Sequence, residues 1–262
     1  MADSTPARSR PGDFNSYLEA QAKNLSEIRR LHEFDLVERV MRLYDQSFAL
    51  RDRDPDVRFL QLFIVCHGGL LSAAATIGRA LPGDTFAITR RAVEAASLAA
   101  AVKADPANYE RWLDEERRLQ RWADRNEGRR PKGQAGGGIV YPAATDKVRR
   151  HLGLLSDAGV HMTPEFISTQ RWRLEPIEGT KGGFLRINYF ETEQRELERA
   201  LMLVASIHLE ILELFDDVLG GAFRRDAEWA RQREEIRRLG AALAQRFQAE
   251  ANSKEEDDGP TR

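Results

Sequence analysis

At 262 residues, of which 42% are hydrophobic, the chain is long enough to bury one sizeable core. Lys and Arg number 40 against 42 Asp and Glu, so the net charge of -2 lacks the basic excess of a dedicated nucleic-acid binder. The single cysteine, Cys66, excludes an internal disulfide framework and a thiolate zinc site, and suits a reducing, cytoplasmic setting.

Met1 to Asp13 is polar, with Arg8, Arg10 and two prolines, and reads as a disordered leader without a signal peptide's apolar core. Phe14 to Leu50 reads as one helix, with Leu25, Ile28, His32, Val40, Leu43 and Phe48 near a common stripe. The run from Arg51 to Pro55 ends it, because proline cannot continue a helix comfortably. Asp56 to Leu81 follows, and its segment Phe59 to Gly78 carries no formal charge. That length approaches the ~20 residues of a membrane span. Gln61, His67, Gly68, Gly69, Ser72 and Thr76 dilute the segment, so the reading is a buried core helix with no membrane partner.

Pro82-Gly83-Asp84 reads as a turn, with Asp84 capping a second buried, alanine-rich helix from Thr85 to Ala104. Small residues on both central helices let their axes approach closely. Asp105-Pro106 is a helix restart, an N-cap followed by proline at the first helical position. The helix from Pro106 to about Asn126 is highly charged. Its basic cluster, Arg117 to Lys132 with Trp112 and Trp122 nearby, is diluted by acids and reads as a solvated face. Gly128 to Pro142 is a loop, and its Gly136-Gly137-Gly138 run lacks the lysine and preceding strand of a phosphate loop.

Ala143 to Asp157 resumes as helix, and Thr163-Pro164-Glu165 reads as a further cap. Ile167 to Leu174 and Phe184 to Phe190 flank a glycine-rich turn; Arg186, Asn188 and Phe190 alternate with Leu185, Ile187 and Tyr189, which predicts a β-hairpin. Thr192 to Leu219 predicts the strongest helix, with Leu197, Leu201, Val204, His208, Ile211, Phe215 and Val218 on one stripe. Ala222 to about Glu250 has a narrower stripe of Trp229, Ile236, Leu239, Leu243 and Phe247, the pattern of a lid or a coiled-coil seam. The expected class is mainly α. It comprises a leader over 1–13, a helical bundle over 14–221 with a hairpin at about 167–190, an amphipathic helical extension over 222–250 and an acidic disordered tail over 251–262.

No motif specifies a reaction, a metal or a cofactor. Four residues could carry chemistry. Arg90 and Glu94 sit four apart on an otherwise apolar helix, with Ser97 continuing the face. Buried ions are costly unless paired, so the two either bind each other or line a polar cleft. Ser156 and His161 fall where one helix ends and another cap begins, and a histidine there can serve as general base or acid. His32 and His208 lie on apolar stripes and read as satisfied core histidines. Cys66 and His67 are helical neighbours about 100° apart and make no dyad.

Thr89-Arg90-Arg91-Ala92-Val93-Glu94, followed by Ala104-Asp105-Pro106, resembles helical bacterial proteins that share a domain of unknown function. Ser156 and His161 look like that family's downstream Ser…His element, at a spacing about one residue longer. The resemblance spans roughly Arg58 to His161 and the helix from Thr192, and implies a helical bundle. A looser similarity is to HEPN-type helical domains, often RNases in conflict systems. None of His32, His67, His151, His161 and His208 follows an arginine at the spacing of the HEPN motif. Two expectations result. The first is a binding or interaction module in bacterial stress or phage defence, self-associating as a homodimer or meeting a protein partner through its C-terminal helices. The second is a HEPN-like RNase, or a nucleotide-ligand enzyme or sensor. There Arg90 holds an anion, Glu94 orients it, His161 is the general base and Ser156 positions His161.

Overall fold

The computed structural model describes residues 14–50, 56–79, 82–124, 138–159, 172–176, 183–187 and 194–257. The protein is mainly helical. Among the described residues its helices are α1 (Phe14–Ile28), α2 (His32–Leu50), α3 (Val57–Ile77), α4 (Pro82–Ala104) and α5 (Ala107–Asp124). A 3-10 turn (Ala143–Thr145) then leads into α6 (Asp146–Arg149) and α7 (His151–Gly159), and the chain closes with α8 (Gln194–Val218) and α9 (Ala227–Asp257).

The bundle is built around α3, α4 and α8. α3 and α4 make the most extensive helix pair, and α8 packs against α2, α3 and α4. Small side chains allow the α3–α4 approach: the Cys66 thiol donates to the Ala92 carbonyl at 3.3 Å. A Cβ added at Gly69 would stand 3.1 Å from that of Ala92. The expected α8 stripe is buried from Leu197 through Phe215. Phe215 meets Phe59 and Phe63 of α3 at ring-centroid distances of 5.4 and 4.9 Å.

Helix ends follow their sequence signals. The Asp56 carboxylate accepts from the Arg58 backbone N–H at the start of α3. Asp105 accepts from the Ala107 N–H at 3.0 Å, the restart read from Asp105-Pro106. Gly220 and Gly221, at φ 67° and 78°, close α8 in the left-handed region that favours glycine. Buried Asp216 locks the turn that follows, accepting from the backbone N–H groups of Phe223 and Arg224 and from the Arg224 guanidinium.

α9 runs back along α2. Trp229, Ile236, Leu243 and Phe247 are buried, so the narrow stripe works as a lid within this chain. The Trp229 indole N–H donates to Ser47 Oγ at 2.9 Å. Arg246 reaches Glu33 of α2 at 2.6 Å and Glu198 of α8 at 3.4 Å, which fastens the far end.

Four expectations need correction. The helix over 14–50 is two helices. It breaks at Arg29–Leu31, where bonds such as Leu31 N–H to the Ile28 carbonyl tighten the chain. α1 ends against α3 there: a Cβ at Gly78 would lie 2.8 Å from Leu25 and 3.1 Å from Ile28. α4 starts at Pro82, whose fixed φ suits a first helical position, and not after an Asp84 cap. The acidic tail begins later than expected, since α9 continues to Asp257 through good helix formers such as Lys254 and Glu255. α3 is not buried all round. Phe59, Phe63, Cys66, Leu70, Ala73 and Ile77 face the core, but Val57, Ile64, Val65 and Leu71 face water.

Trp172–Pro176 and Gly183–Ile187 lie antiparallel, with Trp172 opposite Ile187 and Pro176 opposite Gly183. The segments around them lie outside the described residues, so the bundle rests on its helices and the hairpin over 167–190 is not established as part of it. The same holds for the leader, most of the 128–142 loop and the Thr163-Pro164 cap.

Candidate functional site

Of the four sequence-nominated residues, Arg90, Glu94 and Ser156 lie among the described residues. Arg90 Nε donates to Glu94 Oε1 at 3.0 Å, the i,i+4 pair that the spacing predicts. The pair is not buried. The side chains are 29% and 50% exposed, because α4 turns Ala92, Val93, Ala96, Ala99 and Ala100 inward and these two outward. A surface pair of this kind contributes about 0.3–0.5 kcal/mol. Ser97 does not continue that face: it is buried and donates to the Val93 carbonyl at 2.8 Å. Ser156 donates to the Leu152 carbonyl, one turn back in its own helix, at 2.6 Å. His161 lies outside the described residues. α7 does pack on α4, so Ser156 and Arg90 belong to neighbouring helices.

A second polar group lies where α2, α3 and α8 meet. Tyr44 Oη and His208 Nδ1 are 3.1 Å apart, and both side chains are buried. Tyr44 stacks on His67 with ring centroids 5.3 Å apart, and His67 Nε2 lies 3.8 Å from Asp45 at the surface. Burial, reinforced by nearby His67, pushes the His208 pKa down to about 3, so its ring is neutral near pH 7. Burial pushes Tyr44 well above its ordinary value, so the phenol keeps its proton and shares a hydrogen bond with the neutral ring at Nδ1. His208 Nε2 finds no hydrogen-bond partner among the described residues. Burial likewise raises Cys66, which leaves an inert thiol. The reading of His208 as a satisfied core histidine thus holds for one nitrogen only.

Sequence reasoning missed a third cluster. On α8, Glu213 accepts from Lys147 of α6 at 2.8 Å and from Arg233 of α9 at 2.9 Å, and Arg237 lies at 2.6 Å. One turn earlier, Glu210 meets Arg150 at 2.8 Å and His151 at 3.0 Å. Burial alone would raise the Glu213 pKa, but the bonds from Lys147 and Arg233 outweigh it and hold the carboxylate below its ordinary range. Both carboxylates are spent on cations from neighbouring helices, so the cluster clamps α6, α7 and α9 onto α8. Acids three apart on a long helix were its only local signal.

The Glu210–Glu213 cluster borders a cleft lined also by Lys147, Ser206 and Arg237, and its carboxylates are engaged by cations there. No set of three or more His, Cys, Asp and Glu is placed to hold a metal among the described residues. The feature that departs furthest from an ordinary soluble helix is the outer face of α3. Val57, Ile64, Val65 and Leu71 are 65%, 50%, 51% and 42% exposed. Gln61, Gly68, Ser72 and Ala75 lie between them at helical spacing, and the helix carries no formal charge from Phe59 onward. α3 is also long and apolar enough to cross a membrane by length and composition. In comparisons with known proteins, no family model, no curated protein and no solved structure matches the chain.

Proposed function

We propose that this chain is a helical-bundle binding or interaction module, with the outer face of α3 as its contact surface. One observation carries the reading: an uncharged, aliphatic stripe stands in water on the most apolar helix of the bundle. Soluble monomers rarely expose contiguous apolar patches larger than a few hundred Å², and the largest patch on such a protein is often functional. The narrow stripe of α9 is spent within the chain, so α3 is the better-supported contact surface. The hairpin over 167–190, a cytoplasmic placement and a bacterial stress or phage-defence setting belong to the same proposal. The hairpin is supported by its period-two pattern and antiparallel register. The setting rests on the looser similarity to HEPN-type helical domains.

The test uses dilute full-length protein and an apolar dye such as bis-ANS. Wild type binds dye, and Ile64→Lys/Leu71→Lys loses that binding while melting at an unchanged temperature. Equal dye binding by both proteins would remove α3 as the contact surface. RNA or nucleotide binding that Arg90→Ala abolishes would support the ligand reading in its place.

A further inference from the structure

We propose that the occupant of the α3 face is a second copy of this chain, docked antiparallel about a two-fold axis at Gly68. The proposal rests on the contact-surface reading above and names its partner.

The exposed positions of α3 map onto one another about residue 68. Gln61 corresponds to Ala75, Ile64 to Ser72 and Val65 to Leu71, while Val57 corresponds to Arg79 in the turn after α3, and all eight are exposed. A face with this property is self-complementary in an isologous dimer. Ile64 of one copy falls on the small Ser72 of the other, and Val65 falls beside Leu71.

Gly68 itself is the second observation. A Cβ there would meet nothing within 4 Å, whereas one at neighbouring Gly69 would press on Ala92 at 3.1 Å. The monomer therefore accounts for Gly69 and gives no packing reason for Gly68. Glycine in a helix interior is unfavourable unless another backbone approaches closely, and Gly68 lies at the centre of the exposed stripe.

Charge does not oppose the same arrangement over the middle of the stripe. Between Gln61 and Ala75 the stripe carries no charge, so no like charges oppose one another there. At each end, exposed Arg79 of one copy, in the turn after α3, arrives beside residue 57 of the other, between Asp56 and Arg58, whose guanidinium is already paired with Glu110 at 3.3 Å. The two-fold makes that contact twice.

Area sets the strength. The four exposed aliphatic side chains offer on the order of 350 Å² per copy, within the range of functional surface patches. With the flanking Gln61, Gly68, Ser72 and Ala75, two copies bury about 1,000 Å², near the lower limit for a specific interface. The dimer is accordingly weak and concentration-dependent.

Sedimentation velocity on the full chain from about 1 to about 200 µM spans that regime. Wild type passes from monomer to dimer across the range, and Ile64→Lys moves the midpoint at least tenfold higher. Under mild oxidation Gly68→Cys gives covalent dimers. Val57→Cys does not, because its copies stand roughly 30 Å apart at 1.5 Å per residue. Independently of Gly68, an equimolar mixture of Gln61→Cys and Ala75→Cys chains yields heterodimers in preference to homodimers.

Wild type that stays monomeric throughout, with Gly68→Cys no more cross-linked than Val57→Cys, overturns the second copy as occupant. Within that outcome, dye binding that Ile64→Lys/Leu71→Lys abolishes leaves the contact surface standing for another partner. Co-sedimentation of the monomer with phosphatidylcholine vesicles would assign the face to lipid. Absence of dye binding as well removes the contact surface together with the dimer.

Discussion

α3 and α9 use their apolar residues in opposite ways. α9 is mostly charged, yet Trp229, Ile236, Leu243 and Phe247 are all buried. α3 has the most apolar sequence in the bundle, yet leaves Val57, Ile64, Val65 and Leu71 in water. Average apolarity therefore does not decide burial here; the neighbours do. α9 lies on α2 and is clamped by Arg233 and Arg246 to acids on α8 and α2. The outer face of α3 has no comparable cover among the described residues. A narrow stripe with charged fasteners makes a lid, and a wide stripe without them makes a surface.

Removing the lid's anchor is the largest test of this contrast. Trp229 is fully buried, bonds Ser47, and meets Phe223 with ring centroids 5.7 Å apart. Trp229→Ala should cost about 3–5 kcal/mol in urea unfolding, the range for a deleted core aromatic. A loss below about 1 kcal/mol would show that α9 is not integral to the bundle.

The charged fastener comes next. Glu213→Gln leaves Lys147, Arg233 and Arg237 without their shared carboxylate and should cost about 1–2 kcal/mol at pH 7. The sign of its pH dependence follows from the lowered Glu213 pKa. A carboxylate with a depressed folded pKa adds stability that is complete above its unfolded value, near 4.5, and is lost as pH falls through the folded value. The gap between wild type and Glu213→Gln should thus be full at pH 7 and narrow in acid. Urea midpoints at both pH values measure it, and a gap that widens in acid would contradict the clamp.

These two sites also mark what the sequence could and could not convey. The α8 and α9 stripes were legible because helical periodicity reports a face directly. The Arg90–Glu94 pair was legible from its spacing. Its exposure was not, because alanine lines α4 broadly and hides which side is inward. The Glu213 clamp draws on partners 66 and 20 residues away. Tyr44 and His208 are 164 residues apart. Only the packing of α2, α6 and α9 on α8 brings such groups together, and no local pattern encodes it. The break at Arg29–Leu31 was invisible for a related reason: Leu25 and Ile28 keep helical spacing with the next helix but pack on the end of α3.

A smaller effect separates the two adjacent glycines of α3. With open space around its added Cβ, Gly68→Ala should raise the stability of the isolated chain by about 0.5–1 kcal/mol, through lower backbone entropy of the unfolded state. Gly69→Ala should lose that gain, because its methyl would press on Ala92 at 3.1 Å. Thermal unfolding of both variants at high dilution, where the chain is monomeric, reads the difference. Equal effects would mean that the two faces of α3 are packed alike.

The smallest expected change is the most discriminating for the outer face. Ile64 is half exposed, so Ile64→Lys buries no charge and opens no cavity in the monomer. Its urea midpoint at high dilution should stay within about 0.5 kcal/mol of wild type, as for an ordinary surface substitution. At high concentration the two proteins should diverge, because only wild type gains stability by association, and that gain grows with the logarithm of concentration. A concentration-independent midpoint in wild type, with Ile64→Lys already strongly destabilised at dilution, would place Ile64 inside the fold and erase the contrast between the lid and the open face.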